Sequence, residues 1–216
     1  PTTGSNSTLY KVQAKSLDIA GLNKAEKSTD EGEEKADAED VEKQKLQIKF
    51  EGTKQFFNKG EDNLAESLFQ DFEVGDEQAI VNDVSVPTSF TLQNNSEENW
   101  YGDYVEVNQK RFYVRQVLKP GEKLTFDYNQ ASVAYDISIN TSDVDMNSVQ
   151  GDLSVNLYGK DASGNDAIIE DVKLELSDKS SLDNGSEVKT PDIVANESFK
   201  YYMSSNVALS EINKVE

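Results

Sequence analysis

Residues 104–128 read YVEVNQKRFYVRQVLKPGEKLTFDY, and this stretch decides the fold class. Two runs rich in aromatic and β-branched residues, 104–107 and 111–117, flank the polar triplet Asn108-Gln109-Lys110. Pro120-Gly121 then marks a turn, after which Leu124, Phe126 and Tyr128 alternate with polar residues. Short alternating runs punctuated by turn residues are the signature of antiparallel strands with one buried face.

The same reading extends in both directions. Upstream, Val84 to Leu92 is strand-like and runs into the turn Asn94-Asn95-Ser96. Downstream, Tyr135, Ile137 and Ile139 alternate, then Leu153, Val155 and Leu157. Residues 161–165 form a turn before another strand over 167–176, and Asp183-Asn184-Gly185 is a hairpin signal. About ten short strands of this kind predict an all-β, antiparallel, jelly-roll-like sandwich.

The N-terminal region adds its own strand. Leu9, Lys11, Gln13 and Lys15 alternate with Tyr10, Val12 and Ala14, followed by Leu17-Asp18-Ile19 and a stop at Gly21. Residues 1–20 therefore read as an extended arm with a first strand, and 21–216 as a single β-sandwich domain. That domain carries a charged insertion over 23–45, rich in Glu, Lys, Asp and Ala, with a marginal helix over 35–45. Leu46, Ile48 and Phe50 open the next strand. One short helix is expected over 61–72, because Leu64, Leu68 and Phe72 repeat every four residues and Gly75 follows.

Composition bounds the chemistry. The 216 residues contain no His and no Cys. That removes imidazole bases, thiolate nucleophiles, disulfides and nitrogen- or sulfur-ligated metal sites, and the chain reads as no enzyme. Lys and Arg total 21 against 41 Asp and Glu, a formal charge of −20. Such a balance predicts no nucleic-acid partner and no binding to anionic membranes, since both need a basic footprint. No apolar run reaches about 18 residues, so no membrane insertion is expected. Absent cysteine, abundant Asn, Ser and Thr, and a start at Pro1 suit an exported protein whose signal peptide has been removed. The expected location is extracellular or on the cell surface.

Four constellations are candidate sites. Asp143, Asp145 and Asn147 have the D-x-D-x-N spacing that opens a calcium loop, with Asp152 a further oxygen donor. Ser148 and Ser154 stand where that loop needs Gly and Glu, so a polar strand connection is the competing account. Calcium is the one candidate cofactor. The Trp100-Tyr101-Gly102-Asp103-Tyr104 cluster reads as a sugar-stacking surface or as core anchors at a strand start. Adjacent carboxylates such as Glu97 with Glu98 are what chance supplies among 41 acids. Asn-x-Ser/Thr triplets occur at Asn6, Asn94, Asn140, Asn184 and Asn196.

Ala14-Lys15-Ser16-Leu17-Asp18-Ile19, Val74-Gly75-Asp76 followed by residues 90–96, and residues 118–126 together resemble the TasA/camelysin family of exported biofilm-matrix fibre proteins. Lys15 replaces a glycine of the family motif, and the block at Val74 lacks its proline. The resemblance implies a jelly-roll subunit that polymerises head to tail by donor-strand exchange of its N-terminal segment. Leu9, Tyr10, Val12, Ala14, Leu17 and Ile19 would then form the subunit interface. The peptidase activity ascribed to camelysin relatives does not carry over, because there is no His. The expected function is a structural subunit of an extracellular filament or biofilm matrix, with copies of itself as partners. The alternative is a monomeric cell-surface adhesin or carbohydrate-binding module using the Trp100–Tyr104 region, with surface glycans or other matrix proteins as partners and calcium as its ion.

Overall fold

Alternation along β1 (Thr8–Ser16) puts Tyr10, Val12 and Ala14 on one face, and all three are buried. The same alternation recurs in other described strands, such as Ser154–Lys160 and Ser198–Ser205. The computed structural model describes residues 8–19, 22, 44–54, 69–82, 84–143, 153–183 and 187–216, and no helix occurs among them. The protein is all-β, with antiparallel sheets packed face to face.

The first half holds two four-stranded sheets. One has the order β4-β1-β6-β7, with β4 (Gln78–Asn82), β6 (Trp100–Val107) and β7 (Lys110–Leu118). The other has the order β3-β2-β5-β8, with β2 (Lys45–Lys54), β3 (Gln70–Glu73), β5 (Val84–Asn94) and β8 (Lys123–Asp127). Strands distant in sequence lie side by side in both sheets, as jelly-roll wrapping requires. Between the sheets, Tyr10 stacks on Phe50 at 4.7 Å, and Phe90 meets Phe112 edge-on at 4.8 Å. Asn94 is fully buried yet satisfied: its amide donates to the carbonyls of Glu98 and Leu118 at 2.7 and 2.8 Å. The side chain that a sugar would modify in the Asn94 triplet is therefore inside the fold, while Asn95 is exposed.

The second half repeats the sandwich principle on a smaller scale. β9 (Val133–Asn140), β12 (Leu176–Ser177) and β15 (Ser198–Ser205) form one sheet in the order β12-β15-β9. β10 (Ser154–Lys160), β11 (Asp166–Lys173) and β16 (Glu211–Val215) form the other in the order β11-β10-β16. A hairpin of β13 (Ser181–Asp183) and β14 (Glu187–Lys189) sits where the Asp183-Asn184-Gly185 signal places it. Val155, Leu157, Phe199, Tyr201 and Met203 fill this second core.

Where the sequence reading has one sandwich over 21–216, the interior divides into these two clusters. A third cluster joins them: Leu17, Ile19 and Leu22 pack with Tyr101 and with Leu176 of the second half. The helix expected over 61–72 is corrected at its C-terminal end. Gln70–Glu73 is a strand, and Phe72 pairs with Leu46 in register. Phe72 is 1 % exposed in the first core, so one inward side chain in a strand secures the burial that the four-residue repeat had assigned to a helix. Residues 61–68 lie outside the described residues, as do 23–43 of the charged insertion. Lys45, the last residue of that insertion, is already strand.

Candidate functional site

The site built most completely is the slot that holds β1. Its N-terminal half pairs with β4, from Thr8↔Asn82 to Val12↔Gln78. Its C-terminal half pairs with β6, from Val12↔Val107 to Ser16↔Gly102. Two turns complete the ladder where those partners run out. The Asn108 side chain accepts from the Lys11 amide at 2.8 Å, and its own amide donates to the Lys11 carbonyl at 2.9 Å. On the opposite flank the Gly75 amide donates to the Ala14 carbonyl at 2.9 Å. Asn108 and Gln109 both adopt positive φ, as a tight two-residue hairpin demands, and this turn is what brings Asn108 onto β1.

Past β1 the chain stays anchored. The Leu17 amide donates to the Tyr101 carbonyl at 2.8 Å, and Leu17 and Ile19 are buried against the second half. The Trp100 indole N–H donates to Ser16 Oγ at 3.0 Å, tying the end of β1 to the start of β6. Of the six residues named from the sequence, Tyr10, Val12, Ala14, Leu17 and Ile19 point into the protein's own cores. Leu9 is 61 % exposed on the outer face. The slot thus takes an extended segment by main-chain pairing and holds it with apolar side chains at alternate positions.

The remaining candidates fare differently. Trp100 and Tyr101 are 1 % and 4 % exposed, so the aromatic cluster anchors the cores rather than lining a surface. Tyr104 is half-buried, with the Arg111 guanidinium 4.5 Å over its ring. Asp143 accepts a hydrogen bond from Asn196 at 2.9 Å. Asp145, Asn147 and Asp152 lie outside the described residues, and among the described residues no group of three acids is placed to hold a metal.

Arg115 was missed from sequence. It sits at φ +47 within a β-bulge of β7, where Val114 and Arg115 together face Asp103 alone, and is only 11 % exposed at its side chain. It binds Asp103 at 3.1 Å within the first half and Asp136 of β9 in the second, while Lys200 of β15 holds the other Asp136 oxygen at 2.8 Å. Burial works to raise the Asp136 carboxyl, but hydrogen bonds from Lys200 and Arg115 outweigh it and keep the group below the ordinary carboxylate range. One signal was available: the chain has only two arginines, Arg111 and Arg115, and both lie on one strand.

Compared with protein-family models, with curated proteins and with solved structures, the chain matches none.

Proposed function

We propose that this chain is a structural subunit of an extracellular filament or matrix, and that it polymerises by giving β1 to the next copy. The observation that carries this reading is the position of β1. It is an interior strand, Thr8–Ser16, paired on both sides and filled with apolar side chains. A β1 from a neighbour would make each of those contacts again, so exchange leaves the enthalpy of the slot nearly unchanged. The balance is then set by association entropy and by strain in the connection.

Sequence length makes the transfer sterically simple. Residues 23–43 separate the anchored segment at Leu22 from Gln44, and a chain of that length spans at most roughly 70 Å. Passing β1 from each copy to the next is a head-to-tail contact, which builds a fibre wherever its rotation does not close a ring. The net charge of −20 opposes that assembly and keeps free subunits apart until their contacts outweigh the repulsion.

The test uses the absence of native cysteine. In Gln13→Cys/Glu106→Cys, the two positions face each other across β1 and β6. Oxidised as a dilute monomer, this variant has β1 locked in its own slot. Electron microscopy is expected to show filaments of the unmodified chain, none of the locked variant, and recovery on reduction. Filaments from the locked variant, or none from the unmodified chain at any concentration, would sink the reading.

A further inference from the structure

Between the two halves lies a cleft of about 470 Å³, within the usual range of ligand sites. Its walls have an uncommon construction. Residues 125–127 of β8 and 168–170 of β11 each line it consecutively. A strand lines a cavity with consecutive residues when it presents its edge rather than its face. Both strands are edges, each hydrogen-bonded to a neighbour on one side alone among the described residues. The third wall, β7, is also an edge, but there Ser132 Oγ already accepts the Tyr113 amide at 2.7 Å.

A β-bulge adds a second feature. Leu157 pairs with Ile169 and Val155 with Val172, so Asn156 alone faces both Glu170 and Asp171. Asp171 takes φ +52, and its amide donates to Asn156 Oδ1 at 2.7 Å. Bulges of this sort re-aim side chains, and Glu170 lines the cleft. Asp127 faces it from β8. Neither carboxylate joins an ion pair among the described residues. The nearby cation, Lys110, is turned to the carbonyls of Tyr128 and Gln130 at 2.5 and 3.3 Å.

From this geometry we infer that the cleft binds an extended peptide of a partner protein bearing lysine or arginine, added as a strand along β11 with its cation between Asp127 and Glu170. Unpaired edge amides and carbonyls supply the main-chain recognition, and the two carboxylates select the side chain.

The probe is an acetylated, amidated nonapeptide alternating threonine and lysine, titrated into the 15N-labelled chain at roughly 0.15 M salt, where long-range attraction is screened. Saturable binding is expected, with amide shifts at residues 168–172 and 125–127. Asp127→Asn/Glu170→Gln should weaken it at least tenfold. The same peptide with alternate backbone N-methylation should lose binding, which separates strand addition from attraction to a chain of charge −20. Four results would each overturn the inference. These are equal binding by the methylated peptide or by a peptide with glutamate in place of each lysine, equal binding by the variant, shifts confined to other surfaces, or a neutral oligosaccharide binding at these amides in the peptide's place.

Discussion

The Arg115 guanidinium, stacked within 5.5 Å of both Tyr113 and Tyr202, reaches from β7 of the first half to the Asp136 carboxylate on β9 of the second. Lys200 and Asp103 complete the cluster. Beside the apolar junction around Leu176, it is the main polar tie between the two sandwiches.

Acid should loosen that tie. A carboxyl held below its ordinary range contributes stability that is fully present above the unfolded-state value of about 3.9. The contribution is lost as pH falls through the lower folded value. Thermal melts of the native chain and Asp136→Asn between neutral pH and pH 2.5 should converge in acid. A gap that stays constant across that range would contradict the assignment.

Replacing Arg115 by Ala leaves Asp103 and Asp136 without their shared donor. A charged hydrogen bond at a partly buried site is worth about 1.5–3 kcal/mol. Urea denaturation should record a loss of that order, and Arg115→Lys should recover little of it, since one ammonium cannot span both carboxylates. Full recovery by Lys would reduce the cluster to simple charge.

Tyr201 should be better as Phe. Its hydroxyl is buried with no hydrogen-bond partner among the described residues, and the side chain is fully enclosed in the second core. Leaving a buried hydroxyl unsatisfied costs about 1–3 kcal/mol, so Tyr201→Phe is expected to raise the denaturation midpoint. A fall in the midpoint would mean that the hydroxyl is satisfied in solution.

Gly102 should tolerate no side chain. A Cβ there would lie 2.6 Å from the Trp100 ring and 2.8 Å from Val114 Cγ1. Trp100 is buried and cannot withdraw. Overpacking of this kind costs about 1–3 kcal/mol, so Gly102→Ala should lower the melting temperature measurably. An unchanged melt would show the Trp100 indole to be freer than its contacts imply.

The strands and turns were legible because their signals are local. Alternation marked β1, β2 and β8, while Asn108-Gln109-Lys110 and Pro120-Gly121 marked the turns; the first is tighter than its triplet, since Lys110 already begins β7. The division into two cores was not legible, since period 2 tells which face is buried but not against which sheet. Phe72 misled for a related reason: one apolar residue in four suits a helix stripe and a short strand with a single inward side chain alike. The β1 slot was half visible. Its apolar face read out directly, but its closure by Asn108 and Gly75 depends on contacts across more than sixty residues. Arg115 carries no local mark beyond its rarity, because Asp103, Asp136 and Tyr202 come from three other strands.

Salt should promote assembly. Between roughly 0.01 and 0.15 M the screening length falls from about 30 to about 8 Å, which removes most repulsion between subunits of charge −20. Light scattering at fixed concentration should show faster polymer growth at the higher salt. Growth that slows instead would point to contacts made by ion pairs rather than by an exchanged strand.

The most direct measurement is made on assembled filaments of Gln13→Cys/Glu106→Cys, grown reduced and then oxidised before denaturing electrophoresis without reductant. Strand exchange joins each β1 to the β6 of the next copy, so the gel should show a ladder of covalent multimers that collapses to monomer on reduction. A single monomer band from oxidised filaments would place every β1 in its own slot and contradict exchange.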